Sequence, residues 1–235
     1  MCRMVGYVGT SEDDLQNLFA AFSQGSASDP HLQKAGINSS CHKHGWGYAL
    51  LDANGLRHYR TSKPVYEDKS GLPRLSGKIY AILHSRLASD ESLCGHIFAH
   101  PFSGSTSEAV FFFAHNGGVG PENLPKRMVD SEWAFGEILK AGAVEPVLPL
   151  LKEKTKPNAA LNLLILTIPR EEGKGPVLQY LNYFKSENEG RIGYYQMFTG
   201  DMPGGKALVS STIADLPVKG FSNVKKAVFD KLLVL

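Results

Sequence analysis

The sequence predicts an α+β protein in which antiparallel strands precede and follow a helical middle. Short apolar segments repeatedly end in Gly, Asn or Asp turn signals, a pattern that favours antiparallel neighbours. Strands also come in runs rather than in regular alternation with helices, which argues against a parallel βαβ sheet. Hydrophobic residues make up 43% of the 235 residues, enough for a substantial core. We therefore expect a single domain over residues 1–235.

Composition argues against several classes of partner. A net charge of +2 gives no electrostatic reason to expect a nucleic-acid or anionic-membrane partner. No apolar run is long enough to span a bilayer, and no signal peptide opens the sequence. The three cysteines (Cys2, Cys41 and Cys94) are odd in number and widely spaced, which argues against a disulfide framework. They indicate a reducing compartment, so we expect a cytoplasmic protein.

The N-terminal segment carries the strongest chemical signal. Cys2 follows Met1 directly and begins an apolar segment with Gly6 and Gly9, which predicts a strand ending in a turn. Removal of Met1 would give Cys2 a free α-amino group with a pKa of ~7.7–8.0. Such an amine can serve as the base for a nucleophile on its own residue. The alternative is that Cys2 is simply the second residue of an ordinary intracellular chain.

Capping and turn signals predict the next elements. Ser11, with Asp14 three residues later, predicts the start of a helix that ends at Gly25. Residues 25–43 are rich in Ser, Asn, Asp and Gly and predict a long loop, which in a compact domain is often functional. Residues 52–55 predict a hairpin turn.

The segment 41–44, Cys-His-Lys-His, contains residue types that can ligate a metal. No second cluster supplies the remaining ligands, so we expect no metal. The glycines on either side of Trp46 indicate close approach of the backbone at the start of a strand.

Arg86 stands at the end of a strongly apolar segment, residues 78–87, that predicts a buried strand. Arginine is rarely buried without a partner. One interpretation is an internal salt bridge with an acidic residue. The other is a clamp for a substrate carboxylate, whose geometry the guanidinium fork matches.

A second apolar segment, residues 110–114, predicts a strand that breaks at His115-Asn116-Gly117-Gly118. An Asn-Gly pair at a strand end is most often a turn. It can also form an oxyanion hole, in which a side-chain amide and a backbone N–H point at one oxygen. Asp130 precedes the next apolar helical pattern and predicts an N-cap.

The second half of the sequence predicts a helix over residues 143–155 and then further strands. The strand segments are residues 161–168, 177–184, 193–198 and 207–211.

Together these motifs resemble the class II glutamine amidotransferases, a family of N-terminal nucleophile hydrolases, and most of all their compact stand-alone members. The motifs, in the family's order, are Met1-Cys2, Gly45-Trp46-Gly47, His84-Ser85-Arg86, His100-Pro101-Phe102, His115-Asn116-Gly117 and Asp130-Ser131-Glu132. They cover about the first two thirds of the chain, and the strand pattern covers the rest. The resemblance implies an αββα sandwich of two antiparallel sheets covered by helices.

The resemblance also implies roles for individual residues. Cys2 would be the nucleophile, with its α-amino group as the base. Asn116, through its side chain, and Gly117, through its N–H, would form the oxyanion hole. The substrate-binding residues would be Arg86 for the α-carboxylate, Asp130 for the α-ammonium, Ser89 near the carboxylate, and His115. His100 and Trp46 would shape the pocket.

The implied activity is hydrolysis of the glutamine side-chain amide through a γ-glutamyl thioester, with release of ammonia and no metal or organic cofactor. A synthetase partner could use the ammonia. Three alternatives stay open: a γ-glutamyl amide hydrolase acting on a small peptide or metabolite, a non-catalytic subunit that keeps the fold, and a cysteine protease with an internal Cys–His pair. For the last, the sequence singles out none of the eight histidines.

Overall fold

A computed structural model describes all residues, 1–235. Thirteen strands form two antiparallel sheets. The strands are β1 (Cys2–Gly9), β2 (Trp46–Asp52), β3 (Gly55–Thr61), β4 (Ile79–Arg86), β5 (Phe102–Ser105), β6 (Ala109–Gly117), β7 (Ala159–Pro169), β8 (Val177–Leu181), β9 (Phe184–Lys185), β10 (Met197–Met202), β11 (Gly205–Ser210), β12 (Ser222–Lys226) and β13 (Leu232–Val234). The helices are α1 (Glu12–Ala27), α2 (Pro30–Lys34), α3 (Asp130–Ala141), α4 (Leu148–Glu153), α5 (Glu189–Tyr195) and α6 (Ser211–Ala214).

The two sheets differ in strand number and order. The first sheet has seven strands in the order β12-β10-β11-β1-β4-β2-β3. The second has the order β13-β8-β7-β6-β5, with β9 paired to β7. None of the helices has the length and apolar character that crossing a bilayer requires.

The core lies in three apolar layers, and strand alternation assigns residues to them. On β1, Val5 and Tyr7 face outward and pack with the apolar side of α1. Met4, directly before Val5 in sequence, packs with Phe112 of β6 in the layer between the sheets. Phe113, next to Phe112, faces outward and packs with α3. Because side chains alternate along a strand, each sheet is covered on both faces. The predicted αββα architecture is confirmed.

Two local predictions near α1 are wrong. The helix is capped by Ser11, whose Oγ accepts from the Asp14 N–H as expected, but it continues past Gly25 to Ala27. A Cβ on Gly25 would lie 3.3 Å from Thr212, so this glycine allows close packing on α6 rather than ending the helix. The predicted loop 25–43 also contains α2, because Asp29 caps its N-terminus and Pro30 starts it.

The predicted strand over residues 193–198 is wrong in its first half. Helix α5 covers Glu189–Tyr195, and strand β10 begins only at Met197. Asn188 caps α5 by accepting from the Arg191 N–H. Tyr194 and Tyr195, residues of high strand propensity, are buried at the end of this helix, where tertiary packing overrides propensity.

Candidate active site

Cys2 and Asn116 meet where the two sheets face each other. Cys2 begins β1 and Asn116 lies near the end of β6 in the opposite sheet. The Cys2 backbone N–H donates a hydrogen bond to Asn116 Oδ1 at 2.9 Å. The fold therefore joins the second residue of the chain to the Asn-Gly motif that sequence analysis associates with an oxyanion hole.

Strand register places two further motif residues beside the thiol. Cys2 lies opposite Arg86 in the antiparallel β1–β4 pair, and Met4 lies opposite His84. Directly opposite residues share a face of the sheet, as do residues two apart on one strand. Cys2, His84 and Arg86 are therefore on the same face, toward the second sheet.

The Cys2 thiol is buried but surrounded by positive groups. Burial alone raises the pKa of the thiol, because it penalises the charged form. The Met1 ammonium, His84 and Arg86 act in the opposite direction and lower the pKa of Cys2 to about 5. A thiolate at neutral pH is the reactive form of cysteine, so this thiol is set up as a nucleophile.

One ring nitrogen of His84 is held by the main chain, and the other is buried near the thiol. Its Nε2 lies 3.1 Å from the His115 carbonyl oxygen, which can only accept, so Nε2 carries the hydrogen. Nδ1 is buried without a nitrogen or oxygen partner, and a hydrogen bond between His84 and the Cys2 thiol is among the causes that lower the pKa of Cys2. The imidazole of His100 stacks on this ring, with centroids 4.1 Å apart. Burial, together with the nearby His84 and Arg86, lowers the pKa of His100 well below its usual value.

The Asn116-Gly117 turn leaves hydrogen-bond donors near the thiol. Because Asn116 Oδ1 accepts from Cys2, its NH₂ group faces away from that bond as a donor. A side chain at position 117 would place Cβ 1.7 Å from the Ala160 carbonyl oxygen, so only glycine fits. His115, next to them, is held by Ser131 Oγ at 2.9 Å and lies 3.4 Å from the Ala160 carbonyl. Burial lowers the pKa of His115.

Arg86 is buried without an acidic partner. It is 7% exposed, and Nη1 donates to the Leu93 carbonyl at 2.7 Å. No carboxylate lies within salt-bridge distance of its guanidinium, so the internal salt bridge considered from the sequence is not formed. A buried cation without a counter-charge is costly and suits a ligand carboxylate.

Asp130 is half-buried and also lacks an oppositely charged partner. It is the first residue of α3, and the N-cap is Val129, so the predicted capping role is wrong. Its carboxylate instead accepts from the Ser131 N–H at 2.8 Å and the Val119 N–H at 3.2 Å. These bonds fix the carboxylate at a helix N-terminus, where the helix dipole favours a negative charge.

These groups line one small cavity. Ser89 is on its exposed rim, and Leu87 is part of its wall. The cavity lining is Met1, Cys2, Arg86, Leu87, Ala88, Ser89, His100, His115, Gly117, Val129, Asp130 and Ser131. Every predicted site residue lines it except Asn116, which is bonded to Cys2. Trp46 does not line it, because its ring packs with Phe19 and Tyr59 on the outer side of the first sheet.

Met1 occupies part of the space beside Cys2. Its amino group donates to the Leu87 carbonyl at 2.8 Å, and the Leu87 N–H donates to the Met1 carbonyl at 2.6 Å. The Tyr195 hydroxyl lies 3.3 Å from the Met1 sulfur. The cavity measures only about 40 Å³, against roughly 300–1,000 Å³ for typical small-molecule pockets. With Met1 attached, the site is therefore too small for an amino-acid substrate.

A buried ionic network next to the site was not anticipated from the sequence. Arg3 is fully buried and forms two hydrogen bonds to Asp29, at 2.6 and 3.0 Å. Arg3 also donates to the Tyr194 carbonyl, and the Tyr194 hydroxyl donates to the Cys2 carbonyl. The network therefore fixes the start of β1. The sequence does contain a signal for a buried ion pair, because Arg3 interrupts an apolar strand as Arg86 does.

His42 belongs to this network rather than to a metal site. Its Nε2 lies 2.7 Å from Asp29, and burial lowers the pKa of His42 to about 4. His44 points elsewhere and accepts from the Ala88 N–H through Nδ1 at 2.9 Å. The His and Cys residues of segment 41–44 thus separate, and no group of three or more His, Cys, Asp or Glu side chains could hold a metal.

Known structures show which fold this is. No family model matches the sequence, and no curated protein is similar to it. The glutamine phosphoribosylpyrophosphate amidotransferase from B. subtilis, solved with ADP and GMP, matches over 99% of this chain with 15% identity and a TM-score of 0.61. A structure described as the allosteric regulatory enzyme of purine biosynthesis matches over 98% with 18% identity and a TM-score of 0.64.

The chain spans about half the length of these proteins, 47% and 46%. The solved structure of a predicted glutamine amidotransferase from Pseudomonas aeruginosa is less similar, with 16% identity and a TM-score of 0.47 over 100% of this chain and 93% of that one. The fold implied by the motifs is thus found in two solved structures, and this chain has the fold of the glutamine phosphoribosylpyrophosphate amidotransferase over nearly its whole length.

Proposed function

We propose that the protein is a glutamine amidohydrolase or amidotransferase in which Cys2, exposed by removal of Met1, is the nucleophile. The observation that carries the proposal is the contact across the two sheets between the Cys2 nitrogen and Asn116 Oδ1 at 2.9 Å. It brings an amide donor to a thiol of lowered pKa, and that thiol shares one cavity with Arg86, an arginine without a counter-charge. The name of the B. subtilis structure of the same fold supports glutamine as the donor.

Arg86 and Asp130 fit the two charges of an amino-acid substrate. A glutamine head group carries one carboxylate and one ammonium, and these two residues are a buried cation and a partly buried anion without opposite partners. Ser89, on the rim, offers a hydroxyl to the carboxylate. Bound in this way, glutamine directs its side chain toward Cys2.

The reaction then follows from the geometry. The Cys2 thiolate attacks the side-chain amide carbon, and the oxyanion receives hydrogen bonds from the Asn116 side chain and the Gly117 N–H. One such donor contributes on the order of 10²–10³ in rate. The Cys2 ammonium donates its proton to the leaving nitrogen, the C–N bond breaks, and a γ-glutamyl thioester remains. Water releases glutamate, and the ammonia either leaves or passes to an acceptor on a partner synthetase.

Removal of Met1 would free the amine of Cys2 and enlarge the cavity. In the Met1-containing chain the Cys2 nitrogen is part of a peptide bond and cannot take up a proton. After processing, the resulting amine keeps Asn116 Oδ1 as its hydrogen-bond acceptor, which orients it beside the thiol. The cavity also gains the volume that Met1 fills.

Labelling with the glutamine analogue 6-diazo-5-oxo-norleucine, followed by intact-mass analysis, tests the proposal. We expect a protein that lacks Met1 and gains one adduct, mapped to Cys2. Cys2→Ala should lower ammonia release from glutamine by on the order of 10⁴–10⁶, since the nucleophile is lost. Cys41→Ala is the matched control and should keep its rate. Full activity in Cys2→Ala, or an adduct elsewhere, would exclude Cys2 as the nucleophile.

A further inference from the structure

The space that Met1 occupies is a groove with apolar walls and one polar side. Its walls include the buried Leu87 and Tyr195, and Met1 packs against an apolar cluster that also contains Leu32 and Tyr194. At its polar side, the Leu87 main chain presents one N–H and one C=O, both bonded to Met1. When Met1 is removed, these two groups and the Tyr195 hydroxyl lose their partners next to the new Cys2 amine.

This groove begins where a leaving group must be. In the proposed mechanism the Cys2 amine protonates the leaving nitrogen, so the two nitrogens lie within hydrogen-bond distance. The Met1 carbonyl carbon is bonded directly to the Cys2 nitrogen, so the space that Met1 vacates starts beside the leaving nitrogen. A substituent on that nitrogen therefore has a path into the groove.

We infer that the groove vacated by Met1 is a leaving-group subsite, and that the preferred substrates are γ-glutamyl amides of primary amines with an unbranched apolar or thioether tail. This inference rests on the proposed function and specifies its substrate class. Met1 itself, an unbranched thioether residue, shows which side chain fits. The Leu87 N–H and C=O would bind a peptide-like polar group of the substrate as they bind the Met1 main chain.

The chemistry balances without a further reactant. The Cys2 sulfur bonds to the γ-carbonyl carbon, the C–N bond breaks, and the amine departs with the proton of the Cys2 ammonium. Water then cleaves the thioester to glutamate and restores the thiol. Ordinary glutamine uses the same steps with the groove unfilled.

Kinetics of the Met1-free protein with an amide series test the inference. The series is glutamine and the γ-glutamyl methyl-, ethyl-, propyl- and butylamides, whose alkylamine leaving groups have nearly equal basicity. From methyl to butyl we expect kcat/KM to rise by about fourfold per buried methylene. The branched tert-butylamide should be a poorer substrate than the n-butylamide, because the groove fits an unbranched chain.

A substitution in the groove tests whether the leaving group binds there. Leu87→Phe narrows the groove and should reduce the ratio of kcat/KM between butylamide and methylamide toward one. Leu56→Phe, the same change at an exposed position on β3, should keep the unmodified ratio. If Leu87→Phe fails to fold, the amide series measured on the unmodified protein still tests whether longer alkyl leaving groups are preferred.

The outcomes separate the two proposals. A flat or falling alkyl series with normal glutamine turnover overturns the leaving-group subsite and leaves the proposed function standing. Failure of every amide, glutamine included, to acylate Cys2 overturns the proposed function and the subsite with it.

Discussion

Arg3 and Arg86 lie on neighbouring strands, and both are buried, 0% and 7% exposed, but they are satisfied in different ways. Arg3 donates hydrogen bonds from two nitrogens to the Asp29 carboxylate, and its guanidinium carbon lies 4.0 Å from the centroid of the Tyr194 ring. Arg86 has a single hydrogen bond, to a main-chain carbonyl. A buried guanidinium with a complete set of internal partners fixes structure. One that lacks a counter-charge beside a cavity is available to a ligand.

Asp29, which pairs with Arg3, and Asp130, which lines the same cavity as Arg86, differ in a similar way. Burial tends to raise the pKa of Asp29, but hydrogen bonds from His42 and Arg3 hold it well below its usual range. Asp130 accepts only from main-chain N–H groups and a hydroxyl, with no cation beside it. Arg3 and Asp29 neutralise each other within the chain, whereas neither Arg86 nor Asp130 has an oppositely charged partner in the structure.

The largest effect that the comparison predicts is on stability. Arg3→Gln leaves Asp29 buried without its cation, so we expect the free energy of unfolding to fall by about 3–5 kcal/mol. Arg74→Gln, at an exposed ion pair with Glu12, should change it by less than about 1 kcal/mol. Urea denaturation of both variants measures this. Equal stabilities would mean that the Arg3 network contributes nothing to the fold.

Next in size is an effect on substrate use rather than stability. If the proposed role of Arg86 holds, Arg86→Gln removes the cation that binds the substrate carboxylate, so we expect kcat/KM for glutamine to fall by about 10²–10³. Removing a buried, unpaired charge should leave urea stability unchanged or raised. Arg86→Lys keeps the charge but loses the fork, and should be intermediate. A stability loss like that of Arg3→Gln, with normal kcat/KM, would assign Arg86 to structure instead.

The smallest predicted effect concerns the thiol. In the chain that carries Met1, His84 is one of the groups that lower the pKa of Cys2 to about 5, so His84→Gln should raise this pKa. Only the thiolate reacts with iodoacetamide; its fraction rises with pH through the pKa and then levels off. The half-point of the alkylation rate should therefore move to higher pH in this variant.

His58→Gln is the control for that titration, since the ring of His58 contacts the Pro101 carbonyl and is not among the groups that shift the Cys2 pKa. An unchanged half-point in His84→Gln would exclude His84 from activation of the thiol.

Much of the site could be predicted from sequence because its parts lie at the ends of recognisable strands. Cys2, Arg86 and Asn116 each stand at the start or end of an apolar segment, where the periodicity stops and chemistry-bearing residues begin. The partner of a buried arginine could not be predicted in this way. For Arg3 it is Asp29, which lies in a segment that composition identifies only as a loop.

The role of Met1 shows the same limit. The sequence indicates that Met1 can be removed, but not that its main chain pairs with Leu87 and narrows the cavity. The helical course of residues 189–195 was missed because local propensity favours strand, whereas burial of Tyr194 against Arg3 favours helix.

The sequence by itself determined the α+β class, the strand ends that carry the reactive residues, and the order of the motifs. These depend on local periodicity and on residue chemistry, which one segment is enough to define. Only the tertiary structure decided which buried charges are paired, which imidazole faces the thiol and how much space surrounds Cys2. Those properties depend on residues that come together from distant segments. The pairing register of the strands and the distance between the two sheets set their positions, and no single segment specifies either.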